Sequence, residues 1–419
     1  MMTPSQLKNA DIPDKQEKPP FQTGEELILT IDSIAFGGFG VARKNDFVIF
    51  VPFVMENEQV RVQIKKIKSR YAEAALSEVM VPSPLRIKAP CPYFTRCGGC
   101  SYQHIPYQDQ LELKKKQVAE VYRQIVGNQM SVLEETCSSP LSYHYRTKIR
   151  MKFINNKKGV RFGYFDYFDH NVLLDVDHCH IASKGLNDYL AKVRENDFAF
   201  FKDRNIRSYN LAFMETKNTV VDNLGPNQEV ETEVLGKHYT HNRESFFQIN
   251  HSIFPSLFKI LVDLIKRFAP QSETLLDLFC GVGFFGILLS DQVKKIDFVE
   301  ENKVSFRFLL KNIELNSLKS NSEAWCRPAH KAFASLKKHY DIILIDPPRI
   351  GASETVVRQI ASLSPNLVIY ISCNPATQFR DIRYFFNYGL ELVYLKPFDF
   401  FPQTKHIETI ALFKPVKHK

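Results

Sequence analysis

Between residues 23 and 81 apolar positions come in short alternating runs. Leu27-Ile28-Leu29-Thr30-Ile31 and Phe47-Val48-Ile49-Phe50-Val51 are strand-like, with a glycine turn, Gly37-Gly38-Phe39-Gly40, between them. Val60, Val62 and Ile64 then alternate with Arg61, Gln63 and Lys65, giving a strand one buried and one basic face. The run predicts a small β-barrel of the OB type. Four prolines between Pro82 and Pro92 predict an extended linker. A helix is predicted over roughly 108–126, with Leu111, Val118, Val121 and Ile125 as its apolar stripe and Lys114, Lys115 and Lys116 on its polar side. Residues 143–234 hold several strand-like runs, among them Lys148-Ile149-Arg150-Met151-Lys152-Phe153, and predict a mostly β middle region.

The pattern changes near residue 245. Strands at 275–278, 295–299, 341–345, 367–371, 390–395 and 409–413 are separated, for the most part, by helical periods. Such alternation predicts an α/β fold built on a parallel, doubly wound sheet.

At 419 residues the chain is long enough for two or three domains, and its 44% hydrophobic and 24% charged content is globular. Residues 1–20 are polar, carry Lys and Pro and lack an apolar segment, so a disordered tail is expected and not a signal peptide. The longest apolar stretch, 275–289, contains Asp277 and three glycines and is no membrane span. A cytoplasmic monomer without membrane contact is expected. The net charge of +9 is compatible with a polyanionic partner. Lys65, Lys66, Lys68 and Arg70 beside Tyr71, together with Lys114–Lys116, are candidate phosphate contacts, although charge runs are more often plain solvated faces.

Eight cysteines without a secretory signal argue against a disulfide framework. Three of them lie within ten residues, Cys91-x5-Cys97-x2-Cys100. With a fourth thiolate they satisfy a four-cysteine iron–sulfur cluster, and Cys179, in Asp177-His178-Cys179-His180, is the best fourth. Zinc is the alternative. The spacing is longer than C-x3-C-x2-C, which disfavours radical chemistry. Cys137, Cys280 and Cys326 read as bystanders.

Ligands bind α/β sheets at the carboxyl ends of the strands, and four predicted strands end in chemistry. Asp277-Leu278-Phe279-Cys280-Gly281-Val282-Gly283 is a glycine turn without the Lys-Ser/Thr ending of a phosphate loop. About twenty residues on, Phe298-Val299-Glu300 ends the next strand with a carboxylate suited to a ribose diol. An adenosine-containing cofactor is implied, and S-adenosylmethionine fits a turn with no pyrophosphate cradle. Asp346-Pro347-Pro348-Arg349 ends another strand in a rigid step. Enzymes that methylate adenine N6 use a similar step followed by an aromatic residue; Arg349 in that place argues against amine methylation. Cys373 follows the buried run Val368-Ile369-Tyr370-Ile371-Ser372. A lone Cys is more often core filler, but here it stands beside a cofactor turn and a base-holding step. Uracil C5 needs such a thiol. Addition at C6 makes C5 nucleophilic, and a carboxylate must then remove the C5 proton. Glu408, in His406-Ile407-Glu408-Thr409, is the candidate base.

In combination, Ser245-Phe246-Phe247-Gln248-Ile249-Asn250, Asp277-Leu278-Phe279-Cys280-Gly281, Asp346-Pro347-Pro348-Arg349-x-Gly351, Ser372-Cys373-Asn374-Pro375 and Asp399-x-Phe401-Pro402-x-Thr404-x-His406-x-Glu408 resemble the RNA 5-methyluridine (uracil-5) methyltransferase family. Within it the chain is most similar to iron–sulfur 23S ribosomal RNA members with an N-terminal TRAM domain. The resemblance implies a TRAM barrel over 21–82, a cluster-bearing central domain over 83–244 and a Rossmann-like catalytic domain over 245–419. It implies methyl-donor contacts from Gln248, Phe279, Glu300 and Asp346, Cys373 as nucleophile and Glu408 as proton acceptor. It also implies Cys91, Cys97, Cys100 and Cys179 as ligands of a [4Fe-4S] cluster. Phe284 stands where the family usually has Asn, and it counts among the cofactor-pocket positions. Without the amide the pocket has one polar interaction fewer, on the order of 1 kcal/mol, and a ring in that place could narrow it. Two alternatives are a transfer RNA T-loop substrate and a non-catalytic RNA-binding protein. Intact Cys373 and Glu408 oppose the latter, and family members acting on the T-loop usually lack both cluster and TRAM domain.

Overall fold

The computed structural model describes residues 20–126, 130–156, 159–195, 208–216, 220–222 and 228–416; the tail expected over 1–20 lies outside them except for Pro20. Six strands, β1 (Glu26–Thr30), β2 (Ser33–Ala35), β3 (Phe39–Lys44), β4 (Phe47–Pro52), β5 (Gln59–Ile67) and β6 (Tyr71–Val81), form one sheet in the order β1-β5-β6-β4-β3-β2. The alternation in β5 does what the sequence predicts: Val60, Val62 and Ile64 are fully buried. A register irregularity between Ile64 and Lys66 then breaks the alternation, and Lys65 and Lys66 are both exposed. The barrel is bolted to the linker through Glu58, whose buried carboxylate accepts from Arg86 Nε at 2.5 Å and Nη2 at 2.7 Å.

The middle region is a five-stranded sheet, β7 (Lys148–Asn156), β8 (Gly159–Phe165), β9 (Leu173–Asp175), β10 (Ser208–Glu215) and β11 (Val220–Asp222), in the order β11-β10-β7-β8-β9. The helix predicted at 108–126 is α1 (Tyr107–Val126), and a second, α2 (Lys184–Glu195), buries Leu186 and Leu190 against Phe153, Phe162 and Phe213. Helix α1 does not pack on this sheet. Val118 and Tyr122 join Tyr370, Ile382 and Phe385 in a core at the far end of the chain, and Tyr122 O–H donates to Gln378 Oε1 at 2.5 Å. This overturns one expectation. Lys114 is not available to phosphates, because its side chain is fully buried and paired with Asp399. Lys115 pairs with Glu135, and Lys116 alone of the three is exposed. Periodicity identified the helix, but the stripe that meets the core is wider than the one read from sequence, and a long Lys stem can lie within it.

A hairpin, β12 (Val230–Val234) and β13 (Lys237–His241), leads into the C-terminal sheet: β14 (Thr274–Leu278), β15 (Lys295–Glu300), β16 (Ser322–Cys326), β17 (Ile342–Ile345), β18 (Leu367–Ser372), β19 (Leu390–Phe398) and β20 (Glu408–Pro415). Its order is β16-β15-β14-β17-β18-β20-β19, parallel from β16 to β18 and antiparallel from there on. Helices α3 (Phe254–Phe268), α4 (Phe284–Leu288), α5 (Lys303–Leu315), α6 (Ala329–Ala332), α7 (Glu354–Ser362) and α8 (Pro375–Asn387) flank it. Both faces are covered: Leu275, Ile342 and Leu344 enter one core, while Leu276, Ile343 and Ile345 enter the other. That is why these strands read as continuous apolar runs. Edge strand β16 carries Ser-Glu-Ala-Trp-Cys and has no such run, so the sequence did not reveal it. Among the described residues no helix is long and apolar enough to cross a membrane.

Candidate active site

The antiparallel register of β18 and β20 brings Cys373 and Glu408 together. Ser372 pairs with Thr409, so the next residues outward, Cys373 and Glu408, face each other at the strand ends. Both line a cavity of about 530 Å³ with Gln248, Arg349, Thr404 and His406. Thr409 O–H donates to the Ser372 carbonyl and to Gln378 Oε1, at 3.4 and 2.7 Å, which fixes the crossing point. Beyond Cys373, the Asn374 side chain caps α8 by accepting from Ala376 N, and its amide donates to the Arg349 carbonyl. The Asp-Pro-Pro-Arg step is thereby tied to the Cys373 turn. Gly351 completes the step with φ +80°, and a Cβ there would lie 2.2 Å from Asp381 Oδ2.

Burial and neighbouring charge act on the thiol and on the carboxyl alike. Burial, then the nearby charges of Glu408 and Asp346, push the Cys373 thiol up to about 11, and Arg349 opposes them. Burial, with Asp346 adding to it, also raises Glu408 well above the carboxylate range, and Arg349 again opposes. Burial alone pushes Asp346 up to about 7. Arg349 is therefore the cation that acts on both thiol and base. The sequence showed only that it was not aromatic.

The loop between β19 and β20 carries Phe401, Thr404, His406 and Glu408 into the cavity, and the rest of the protein clamps it. Asp399 pairs with Lys114, Tyr145 O–H donates to the Pro402 carbonyl at 3.0 Å, and Asn250 Nδ2 donates to the Phe400 carbonyl at 3.0 Å. Gln110 and Gln403 exchange two hydrogen bonds, and the backbone N–H groups of Ser101 and Tyr102 donate to the Gln403 carbonyl. None of these contacts has a sequence signature, because the partners lie 150 residues or more apart.

Next to this cavity stands the glycine turn after β14. Phe279, Gly281 and Gly283 have φ of +62°, +59° and +86°. Gly286 lets α4 approach the sheet, for a Cβ there would lie 2.5 Å from the Phe298 ring. The residues fit S-adenosylmethionine on three counts. The space beside Gly281 is open, with nothing within 4 Å of where a Cβ would be. Glu300 is held over the turn by Gly281 N at 2.8 Å and Asn302 N at 2.6 Å, with lone pairs left for a diol. Asp277 Oδ1 is buried without a partner, while Oδ2 accepts from Gly286 N. Gln248 lines the catalytic cavity, on the segment whose Phe247 ring stacks on His241 at 4.2 Å. Phe284 is placed differently from the expectation of a ring at the cofactor. It packs against Tyr239, Phe247 and Phe254 in the hydrophobic core.

Cys91, Cys97, Cys100 and Cys179 line one cavity of about 50 Å³ with His178 and His180. Burial first, then the charge of the neighbouring cysteines, raises Cys97 to about 11 and Cys91 and Cys100 above the ordinary thiol. Four cysteine sulfurs lining one apolar cavity are a donor set for a soft cationic centre. Among the described residues, however, no group of three or more His, Cys, Asp or Glu is placed to hold a metal ion. Of the other cysteines, Cys280 is buried in the turn, Cys137 half-buried and Cys326 exposed.

The strand order and the adenosine-type turn fit an S-adenosylmethionine-dependent methyltransferase. Comparison with known proteins gives the family. Residues 227–415 match the tRNA (Uracil-5-)-methyltransferase family and residues 20–76 the TRAM domain. An uncharacterized RNA methyltransferase of Aquifex aeolicus is 30% identical over 93% of this chain and 98% of its own. Another, from Halalkalibacterium halodurans, is 27% identical over 95% of this chain and 99% of its own. The crystal structure of Pyrococcus abyssi tRNA (uracil-54, C5)-methyltransferase in complex with S-adenosyl-L-homocysteine superposes with a TM-score of 0.73 at 21% identity, over 92% of this chain and all of that one. The protein belongs to the RNA uracil-5 methyltransferase family.

Proposed function

We propose that the protein methylates C5 of a uridine in 23S ribosomal RNA, acting as a cytoplasmic monomer. The observation that carries the chemistry is the β18–β20 register, which sets Cys373 opposite Glu408 in one cavity. As the thiolate, Cys373 adds to uracil C6, and the ring electrons make C5 nucleophilic. S-adenosylmethionine, when bound, supplies the electrophilic methyl group on its sulfonium; Gln248, Phe279, Glu300 and Asp346 would hold it. Once C5 is methylated, Glu408 in its carboxylate form accepts the C5 proton, for which burial makes it a strong base, C5=C6 re-forms and the Cys373 sulfur leaves. Arg349 stabilises the thiolate and the carboxylate alike.

Cys91, Cys97, Cys100 and Cys179 would hold a [4Fe-4S] cluster, supported by their convergence on one cavity. Residues 21–82, 83–244 and 245–419 serve as working domains, and α1, although inside the second range, packs on the third. The ribosomal substrate rests on the cysteine set, since the family's T-loop enzymes usually lack it. A transfer RNA substrate is the second reading. The Pyrococcus abyssi neighbour is a tRNA enzyme whose likeness spans 92% of this chain, so the barrel does not discriminate between them. Mapping 5-methyluridine in ribosomal and transfer RNA from a strain lacking the protein decides. Loss from 23S RNA is expected; loss from transfer RNA alone would replace this reading with the second.

A further inference from the structure

A cleft of about 1080 Å³ lies between the barrel and the central sheet, with Lys65 and Lys66 on one wall and the segment Tyr164–His170 on the other. It borders the cavity that holds Cys373 and Glu408, for Gly99 and Tyr164 line both. Exposed aromatic rings are concentrated here. Four Phe side chains are exposed among the described residues: Phe165 at 40%, Phe168 at 44%, Phe246 at 66% and Phe386 at 40%. The first two line the cleft and the third the catalytic cavity. Exposing such rings costs stability unless something covers them.

The segment is built to hold its rings in place. Tyr167 N donates to the Arg96 carbonyl at 2.6 Å, and Arg96 Nε reaches Asp166 at 3.2 Å. Phe168 meets Tyr167 and Phe53 edge-on, with centroids 4.9 and 6.5 Å apart. The acidic groups on this wall are already engaged, Asp166 by Arg96 and the backbone N–H of Phe168, Asp169 by Asn171. Glu73 also lines the cleft. The two walls thus differ in kind: two lysines on a strand face with Glu73 paired across from Lys66 on one, aromatic faces with engaged carboxylates on the other. Single-stranded RNA has the matching two sides, phosphates along one edge and bases along the other.

We infer that this cleft is a second nucleotide-binding subsite, which takes the unpaired nucleotides flanking the target uridine, their bases stacked on Phe165 and Phe168 and their phosphates on Lys65 and Lys66. The inference rests on the uracil-methylating reading for the direction of the strand, not for the cleft itself. A target uridine must leave its stack to reach Cys373, and neighbours re-stacked on protein rings offset that loss.

The test uses the full chain and two RNAs carrying one 5-fluorouridine, a trimer confined to the catalytic cavity and an unpaired dodecamer extending into the cleft. The dodecamer also carries 2-aminopurine beside the target. Wild type is expected to form the covalent adduct faster with the dodecamer and to quench the 2-aminopurine. Phe165→Leu/Phe168→Leu, which keeps apolar bulk, is expected to cut the dodecamer rate roughly tenfold, within the range of a base–aromatic stack, and to restore fluorescence. Its trimer rate, melting temperature and S-adenosylmethionine binding should match wild type. Lys65→Gln/Lys66→Gln should lower the salt slope of dodecamer binding by about 1.4, two single-strand phosphate contacts at about 0.7 each. A Leu variant that keeps both the dodecamer advantage and the quenching overturns the inference, as does covering of the cleft by another protein with RNA excluded. If wild type forms no adduct with either RNA, the uracil reading fails, and the quenching still tests the cleft.

Discussion

Lys114 Nζ lies 2.6 Å from Asp399 Oδ1, and neither side chain has any exposed surface. Lys114 also donates to the Phe401 carbonyl at 3.3 Å, while Asp399 Oδ2 has no partner. The pair joins the middle of α1 to the start of the loop that delivers Glu408. Removing one partner of a buried pair leaves an uncompensated charge, at a cost of about 3–5 kcal/mol. Lys114→Met should therefore lower stability to urea by that order and slow turnover more than it weakens RNA binding. Lys114→Met/Asp399→Leu should recover much of the stability but not the turnover, because the loop is no longer anchored. An RNA affinity that falls with Lys114→Met while turnover holds would return Lys114 to the role of a phosphate contact.

Cys373 and Glu408 make separable contributions. With 5-fluorouridine RNA and S-adenosylmethionine, wild type should be trapped as a methylated protein–RNA adduct, since fluorine does not leave as a proton does. Cys373→Ala should form none. Glu408→Gln on ordinary RNA should pass through addition and methylation and stall before release, so a methylated covalent complex accumulates on denaturing gels. Normal turnover by Glu408→Gln would transfer the proton-accepting role to another group.

The same site predicts a pH profile. The Cys373 thiol is raised to about 11, chiefly by burial and then by Glu408 and Asp346. Only the thiolate attacks, so below that value adduct formation should rise roughly tenfold per pH unit until another step limits it. Arg349 lowers the thiol's pKa. Arg349→Gln should shift the profile to higher pH and slow the reaction at any fixed neutral pH. An unshifted profile would mean that Arg349 acts only on RNA.

The cysteine cavity gives a prediction independent of catalysis. Protein purified without air should be brown and hold iron, with broad visible absorbance that fades on oxidation, and Cys97→Ser should lose colour and metal together. Zinc without iron would make it a structural zinc site.

What the sequence disclosed, and what it withheld, divides along physical lines. Leu275–Leu278 and Leu367–Ile371 are buried on both faces, and runs so nearly continuous in apolar residues are hard to mistake; Asp277 stands out inside the first and Cys373 follows the end of the second. The motif residues were legible because turns demand particular chemistry, as at Gly281, Gly283 and Gly351. Lys114 was misread because charge alone does not tell a buried cation from a solvated one; only Asp399, 285 positions away, decides it. The cleft beside Phe165 and Phe168 was invisible because two separate sheets make it. Phe284 falls between these cases: its departure from the family pattern was legible, but the direction of its ring was not.

That direction makes a final prediction. Had the Phe284 ring entered the cofactor pocket, replacing it with the family's Asn would widen the pocket, add a polar contact and tighten S-adenosylmethionine binding. The ring instead lies 5% exposed among Tyr239, Phe247, Phe254 and Phe285, with centroids 4.9 to 5.6 Å away. Phe284→Asn removes that packing and puts an amide into an apolar site, so it should cost about 3 kcal/mol or more of stability. Phe284→Leu, which keeps most of the volume, should cost less and leave cofactor affinity unchanged. Calorimetric titration with S-adenosylmethionine and urea unfolding of both variants measure the two effects separately. Tighter cofactor binding by Phe284→Asn without loss of stability would place the ring in the pocket after all.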